Sequence, residues 1–411
     1  MSISTVAERE VQVLSDNLPK LKMGTMLRSM ERSSLVRRLS GRLLPRRTFV
    51  MGPPVIDLHK PTDHVRDEIS RACSDYGFFQ VVNHGVEPAL LAAFREQMVT
   101  FFNLPAHKKG KLRRDGSNAR GFFDDELTKR RRDWKEALDF GVPGSRDWGV
   151  KDNDPANACL DGFNRFPSVA DAPLFRDVMV RYFESLTVLS ATIAARMAEG
   201  LDMKSSYFDD LLHTTHTSYL RLNYYPPCQE PGPPPPLGIS PHKDAGFLTV
   251  LEQDLDCHSL QVVRRGDDPN DEGAWVTMVP IEGALTINTG DMAQIWSNDR
   301  YHAPLHRVRT HPTSRRYSAP FFYNPGYHTK VAPLPTLGEP VFQPCTWGYY
   351  RAQRFAGDFA DFGTEIQSSD YLRDSGSPHL ERQRSFLEAA NFARPFSVDE
   401  YRPLLTMPCR A

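Results

Sequence analysis

The stretch from Ser218 to Phe322 limits the fold more than any other part of the chain. It holds eight short β-prone runs separated by turn residues: Leu220–Tyr225, Phe247–Leu251, Leu260–Val263, Trp275–Met278, Leu285–Asn288, Ala293–Trp296, Arg307–Arg309 and Tyr317–Tyr323. Short strands with punctuation this close predict a β-sandwich or barrel. The connections have their own chemistry: Pro231 to Pro236 with Gly232 forms a rigid link, and Gly266–Gly273 an acidic loop. No internal repeat is present.

The flanks differ. Order is expected to begin at Pro53-Pro54, with a short strand at Val55-Ile56-Asp57-Leu58, a helix over 63–76 closed by Gly77, an apolar strand Phe78–Val82 and a second helix over 87–103. Residues 108–135 are dense in charge (Lys108, Lys109, Arg113, Arg114, Arg130, Arg131, Arg132) interleaved with Asp124, Asp125 and Glu126, and are expected to form a solvated loop. Leu174, Val178, Leu186, Leu189, Ile193, Met197 and Leu201 line one face of a long helix, and the tail after 345 reads as helices with polar loops. Between Lys20 and Arg47 there are nine Lys or Arg and one acid, Glu31, with Leu35, Leu39 and Leu43 at i, i+4 spacing. That pattern predicts a solvated, partly helical extension. Organelle targeting is the less favoured reading, because Glu8, Glu10 and Asp16 precede the basic run.

The chain therefore divides into a basic, flexible extension (1–50), an N-terminal helical and strand region (51–170), a long support helix with its link (171–215), the β core (216–330) and a helical tail (331–411). Composition narrows the class. At 411 residues with 40% hydrophobic residues, a sizeable core is available. Fifty basic and 51 acidic side chains give a formal net charge of −1, which offers no chain-wide attraction for nucleic acid. No apolar run approaches the ~18 residues of a membrane span. The six cysteines are scattered without a CxxC pair, as expected of a reduced chain in the cytoplasm without a Cys-rich zinc site.

The candidate chemistry starts at His242-Lys243-Asp244. A His-x-acid pair alone says little, since 13 His and 51 acids in 411 residues give roughly 1.6 such pairs by chance. The other, His379-Leu380-Glu381, lies in a charged tail. On a strand, residues i and i+2 share a face, so His242 and Asp244 can reach one metal. His306, at the head of a later strand, supplies a third ligand, with His302 and His311 as rivals. Two histidines and a carboxylate on one face leave three coordination positions open, which suits non-haem Fe(II) that must also bind a co-substrate and O2. Arg316 and Ser318 again share a face. There a guanidinium fork and a hydroxyl can hold a carboxylate, unless Arg316 is used in a structural ion pair. Asn223 and Tyr225 form a second pair at the same spacing.

Together the order Asn-x-Tyr, His-x-Asp, His, Arg-x-Ser resembles the isopenicillin N synthase-like branch of the 2-oxoglutarate/Fe(II) dioxygenases. The likeness extends to Asn223-Tyr224-Tyr225-Pro226-Pro227, His242 to Thr249, Asn288-Thr289-Gly290-Asp291, Trp296-Ser297-Asn298 and His306-Arg307-Val308, and upstream to Pro54–Asp57 and Gly77–Gly85. It spans about 54–365. It implies a mainly β fold with α: a double-stranded β-helix, or jelly roll, flanked by helices. It also implies Fe(II) held by His242, Asp244 and His306, and 2-oxoglutarate held by Arg316 and Ser318 with help from Asn223 and Tyr225. His84 matches a structural position. The implied reaction hydroxylates or desaturates a small organic metabolite with O2, releasing succinate and CO2, with ascorbate as reductant. Phe321 and Phe322, on the Arg316 strand, are suited to keeping water out. Two departures, the long interval containing Gly266–Gly273 and His258-Ser259 before Leu260, are expected to affect the pocket rim. Three other readings share parts of the motif: an iron oxidase that does not use 2-oxoglutarate, a binding protein on an inactive barrel, and a zinc hydrolase with the same ligand set.

Overall fold

The computed structural model describes residues 52–115, 118–128, 131–143, 162–212, 216–229, 236–359 and 366–373, all within one compact unit. The basic extension, the proline run at 231–235 and His379-Leu380-Glu381 lie outside these residues.

Two facing sheets make the core. The larger takes strands in the order β1 (Val55–Asp57), β2 (Phe78–Val82), β12 (Leu285–Thr289), β9 (Leu248–Gln253), β14 (Arg316–Tyr323), β7 (Tyr219–Tyr225), β6 (Glu136–Gly141) and β3 (Gly121–Phe123). The smaller runs β11 (Trp275–Thr277), β10 (Leu260–Val263), β13 (His306–Arg309), β8 (Leu237–His242). Two short ribbons complete the strands: β4 (Leu127–Thr128) with β5 (Arg131–Arg132), and β15 (Lys330–Val331) with β16 (Cys345–Thr346). Pairing within the core is antiparallel except at β1–β2.

Helices cover the outer face of the larger sheet. Helix α1 (Thr62–Asp75), α2 (Pro88–Phe102) and the 25-residue α3 (Phe175–Glu199) pack there around one apolar core. Phe183 of α3 meets the outward-facing Phe321 of β14 edge to face, with ring centroids 4.9 Å apart. By length and composition α3 could cross a membrane, yet its apolar stripe of Val178, Tyr182, Leu186, Leu189, Ile193 and Met197 is buried against the sheet. It is a core helix. Leu174 lies just before it and is exposed, Phe175 taking the buried place. A smaller apolar cluster, including Phe78, Leu251, Leu260, Val262 and Val308, fills the space between the sheets.

Gly77 shows why α1 ends where it does. Its φ is +67°, and a Cβ there would lie 2.2 Å from the His302 carbonyl oxygen, so only glycine lets the chain turn from α1 into β2.

Four sequence expectations are corrected. Ala293–Trp296 is not a strand but part of helix α4 (Asp291–Trp296). Strand β8 is not among the eight runs and ends at His242, short of the Asp244 that the pairing argument sets on a strand; it holds Pro241 because it is the edge of its sheet, where a missing N–H costs no ladder bond. Residues 108–135 are not a solvated loop: β3 lies there, and Arg114, Arg120, Asp133 and Lys135 are buried. Arg130 lies outside the described residues. Finally, the 331–346 interval carries the β15–β16 ribbon, and the tail becomes helical only at α5 (Trp347–Phe359).

Candidate active site

The pocket opens between the sheets, and strands of both sheets line it, β7 and β14 with four residues each. On β7, Tyr219, Arg221, Asn223 and Tyr225 alternate inward; on β14, Arg316, Ser318, Pro320 and Phe322 do. Phe322 stacks on Tyr219 inside the pocket, so of the two phenylalanines proposed as a water barrier only Phe322 serves there.

His242 and His306 are direct register partners across β8 and β13, which brings residues far apart in sequence to a ring separation of 4.2 Å. Asp244 joins them from a loop and not from the strand, because β8 ends at His242. Its Oδ1 lies 3.7 Å from His242 Nε2 and 3.6 Å from His306 Nε2. Among the described residues this trio is the group of His, Cys, Asp or Glu placed to share a metal ion. His302 and His311 stay out of it. The His302 main chain pairs with Cys73, and the exposed His311 ring accepts from the Ser314 N–H at 2.9 Å.

The second layer fixes which atoms face inward. His242 Nδ1 sits 2.8 Å from the Ser240 carbonyl and His306 Nδ1 3.2 Å from that of Pro304. Each Nδ1 therefore carries the proton, leaving the Nε2 lone pairs turned toward each other. Thr249 Oγ1 and Asn288 Nδ2, register partners on β9 and β12, donate to Asp244 Oδ2 at 2.6 and 2.7 Å and leave Oδ1 for a metal. Burial, with the nearby His306, pushes His242 down to about 3, so it is a neutral ligand at neutral pH. Burial opposes ionisation of Asp244, but the two rings and the Asn288 and Thr249 bonds outweigh it and hold the carboxyl below its ordinary range. Two imidazole nitrogens and one carboxylate oxygen make a donor set that fits Fe(II).

Arg316 is 2% exposed and forms no ion pair among the described residues. Its Nη2 donates to Gln253 Oε1 at 3.0 Å and its Nη1 to Ser318 Oγ at 3.2 Å, both neutral acceptors. Its Nε and the Oδ1 of Asn223 are buried without a partner. A buried guanidinium left this way is costly unless an anion completes it, which disposes of the structural ion pair. The residues fit a carboxylate co-substrate. Tyr225 lies under the Arg316 guanidinium at 5.1 Å.

Sequence reasoning missed the ion-pair cluster farther along the same wall. Arg221 binds Asp139 of β6 in a bidentate pair at 2.8 and 2.9 Å and Glu126 at 3.0 Å. Lys135 sits between Glu126 (2.6 Å) and Asp133 (2.8 Å). The signal was available in part, since Arg221 continues the i, i+2 series of Asn223 and Tyr225. His84 lies away from the pocket, its Nε2 3.1 Å from the Gly283 carbonyl, as a structural residue should. Neither Gly266–Gly273 nor His258-Ser259 contributes to the lining; Glu272 pairs with Arg307 at 2.6 Å instead.

This geometry coincides with what known proteins show. The 2OG-Fe(II) oxygenase superfamily model matches residues 216–325, and the model described as non-haem dioxygenase in morphine synthesis N-terminal matches 53–169. Jasmonate-induced oxygenase 2 of Arabidopsis thaliana is 34% identical over 310 residues, which cover 72% of this chain and 78% of that protein. The chain belongs to the 2OG-Fe(II) oxygenase superfamily. Gibberellin 2-beta-dioxygenase 8 of Arabidopsis thaliana is 30% identical, over 78% of this chain and 86% of the relative. The crystal structure of JOX2 in complex with 2OG, Fe and JA superposes with a TM-score of 0.62 at 33% identity, covering 72% of this chain and 83% of that one. This superfamily member is thus an oxidoreductase, an Fe(II)- and 2-oxoglutarate-dependent oxygenase of small molecules with the jelly-roll core and long helix expected of it.

Proposed function

We propose that His242 Nε2, Asp244 Oδ1 and His306 Nε2 hold one Fe(II). Arg316 and Ser318, with Asn223 and Tyr225, hold the distal carboxylate of 2-oxoglutarate. The observation that carries this reading is the buried Arg316, whose bonds go to neutral acceptors on the same pocket wall that leads to the trio. Bound together, iron, 2-oxoglutarate and O2 supply an oxidant for a C–H bond, with succinate and CO2 released. The rest is the chain's own work. Thr249 and Asn288 keep Asp244 to one free oxygen, the Ser240 and Pro304 carbonyls keep both imidazoles in the ligating tautomer, and Gln253 orients Arg316. Phe78, Ile239, Leu251, Leu260 and Val308 line the pocket with apolar surface that limits water.

The substrate is a small organic metabolite that is hydroxylated or desaturated; relatives named for jasmonate and gibberellin support that size class. Ascorbate is the proposed reductant and the cytoplasm the proposed location. The five segments of the chain are assigned as extension, N-terminal region, support helix, catalytic core and tail.

Succinate formation from 2-oxoglutarate under air with Fe(II) and ascorbate, with and without a metabolite extract, tests the reading. Wild-type protein should yield succinate, and His306→Ala should abolish it, since two ligands hold Fe(II) poorly. Turnover in His306→Ala at the wild-type rate would overturn the ligand assignment.

A further inference from the structure

We propose that Arg354, on the C-terminal helix α5, is a positioning residue for the metal-binding loop. The proposal rests on the ligand assignment above.

The need for such a residue follows from where β8 stops. The ladder that fixes His242 does not reach Asp244, so the peptide units after His242 must be held by other means. Side-chain bonds from Thr249 and Asn288 fix the Asp244 carboxylate, but not the main chain that carries it. Two further contacts do that. The Arg354 guanidinium donates through Nη2 to the Lys243 carbonyl, and the Asp291 N–H donates to the Asp244 carbonyl at 2.8 Å. These two contacts meet at one buried group. The Asp291 carboxylate, 0% exposed, accepts from Tyr350 Oη at 2.6 Å and from Arg354 Nη1 at 3.4 Å. Arg354 Nη1 also donates to the Ile366 carbonyl at 2.6 Å.

The loop has little freedom against this support. A Cβ on Gly290, which precedes α4, would lie 2.3 Å from the Gly246 oxygen and 2.9 Å from the Asp244 oxygen. Glycine there lets the start of α4 lie directly on the loop. The guanidinium is suited to its task, because its planar fork reaches acceptors in three directions from one buried side chain, which a lysine ammonium on a flexible stem does less well. Arg354 and Tyr350 lie beyond residues 216–325, the stretch that matches the oxygenase model, so a segment outside the barrel secures its ligand loop.

Losing a residue that orients a ligand typically costs about 10- to 100-fold in metal affinity. The experiment titrates the full-length, metal-free protein with Co(II), following the visible absorption of the bound ion, for wild type, Arg354→Met, Arg354→Lys and Tyr350→Phe. Melting temperatures in chelator are recorded alongside. Arg354→Met should weaken Co(II) binding by at least about tenfold and alter the Co(II) spectrum, and Arg354→Lys should recover part of the loss. Tyr350→Phe, which removes one hydroxyl and leaves the packing, should weaken binding about two- to fivefold while keeping a cooperative metal-free melting transition, lowered by the loss of one buried bond. It carries the test if Arg354→Met does not fold. Wild-type Co(II) affinity in Arg354→Met, or in Tyr350→Phe where Arg354→Met is unfolded, overturns the positioning role alone. Failure of the wild type to bind Co(II) overturns the ligand assignment and this role with it.

Discussion

Arg221 and Arg316 line the same pocket from adjoining strands, and their surroundings are opposite. Arg221 is saturated by Asp139 and Glu126. Arg316 meets Gln253 and Ser318 and keeps a buried Nε without a partner. The acids at the end of the neighbouring β9 have other partners: Asp254 accepts from the Tyr317 N–H at 2.6 Å, and Glu252 pairs with Arg95. A guanidinium with both forks filled acts as a wall, whereas one left open is a site for a ligand that arrives with its own charge. In this molecule the two cations differ in whether the fold itself supplies a paired counter-charge.

Replacing each arginine should separate the two roles. Arg221→Met strands the Asp139 carboxylate in the interior and takes from Glu126 one of its cations, leaving Lys135 and Arg114, and should lower unfolding stability by about 3–5 kcal/mol in chemical denaturation. A loss as small as that of a surface substitution would make Arg221 another open cation. Arg316→Met removes a buried charge that forms no direct ion pair among the described residues and is attracted only at longer range by Glu252 and Asp254, so metal-free stability should change little. Its effect should fall on the co-substrate: the apparent KM for 2-oxoglutarate should rise roughly 30- to 150-fold, from the loss of charge-assisted bonds of about 2–3 kcal/mol. An unchanged KM would assign the guanidinium to a different carboxylate. Gln253→Leu sharpens the contrast, because it leaves the charge and removes only its orientation. It should raise the same KM about fivefold, the worth of one hydrogen bond near 1 kcal/mol, with kcat at saturating 2-oxoglutarate little changed.

The smallest expected effect is on pH dependence. Burial opposes ionisation of Glu126, but Arg221, Lys135 and Arg114 overcome it and hold its carboxyl well below the ordinary 4.5. A depressed acid stabilises the fold above its unfolded value, and that contribution fades as pH falls below it. The melting-temperature difference between wild type and Glu126→Gln should therefore be full above about pH 5 and shrink in more acidic buffer. A difference that stays constant with pH would mean the wall is not held by charge.

The same contrast explains what was legible in the chain. Arg316, Ser318, Asn223 and Tyr225 stand out because their spacing is local, two residues apart on a strand, and the trio of ligands stands out because its motif is distinctive. The alternation argument that joined His242 to Asp244 reached the right pair by the wrong geometry, since Asp244 lies past the end of β8. Arg221's partners could not be read in the same way. Glu126 and Asp139 are far from it in sequence, and a buried ion pair leaves no periodic trace, so residues 108–135 read as solvent-facing. Short apolar runs gave the other misreading. Ala293–Trp296 suits a strand or a helix equally well by composition, and the helix is decided by its contacts with the Asp244–Phe247 loop.

The register pairing of His242 with His306 also bears on how the protein is made. The two strands that carry them are joined by more than sixty residues of chain, including four other strands of the core, so closing that pair is a late and entropically expensive contact. The complete trio is therefore assembled only when β8 and β13 pair, so a metal ion bound there would find all three side chains together only on the folded chain.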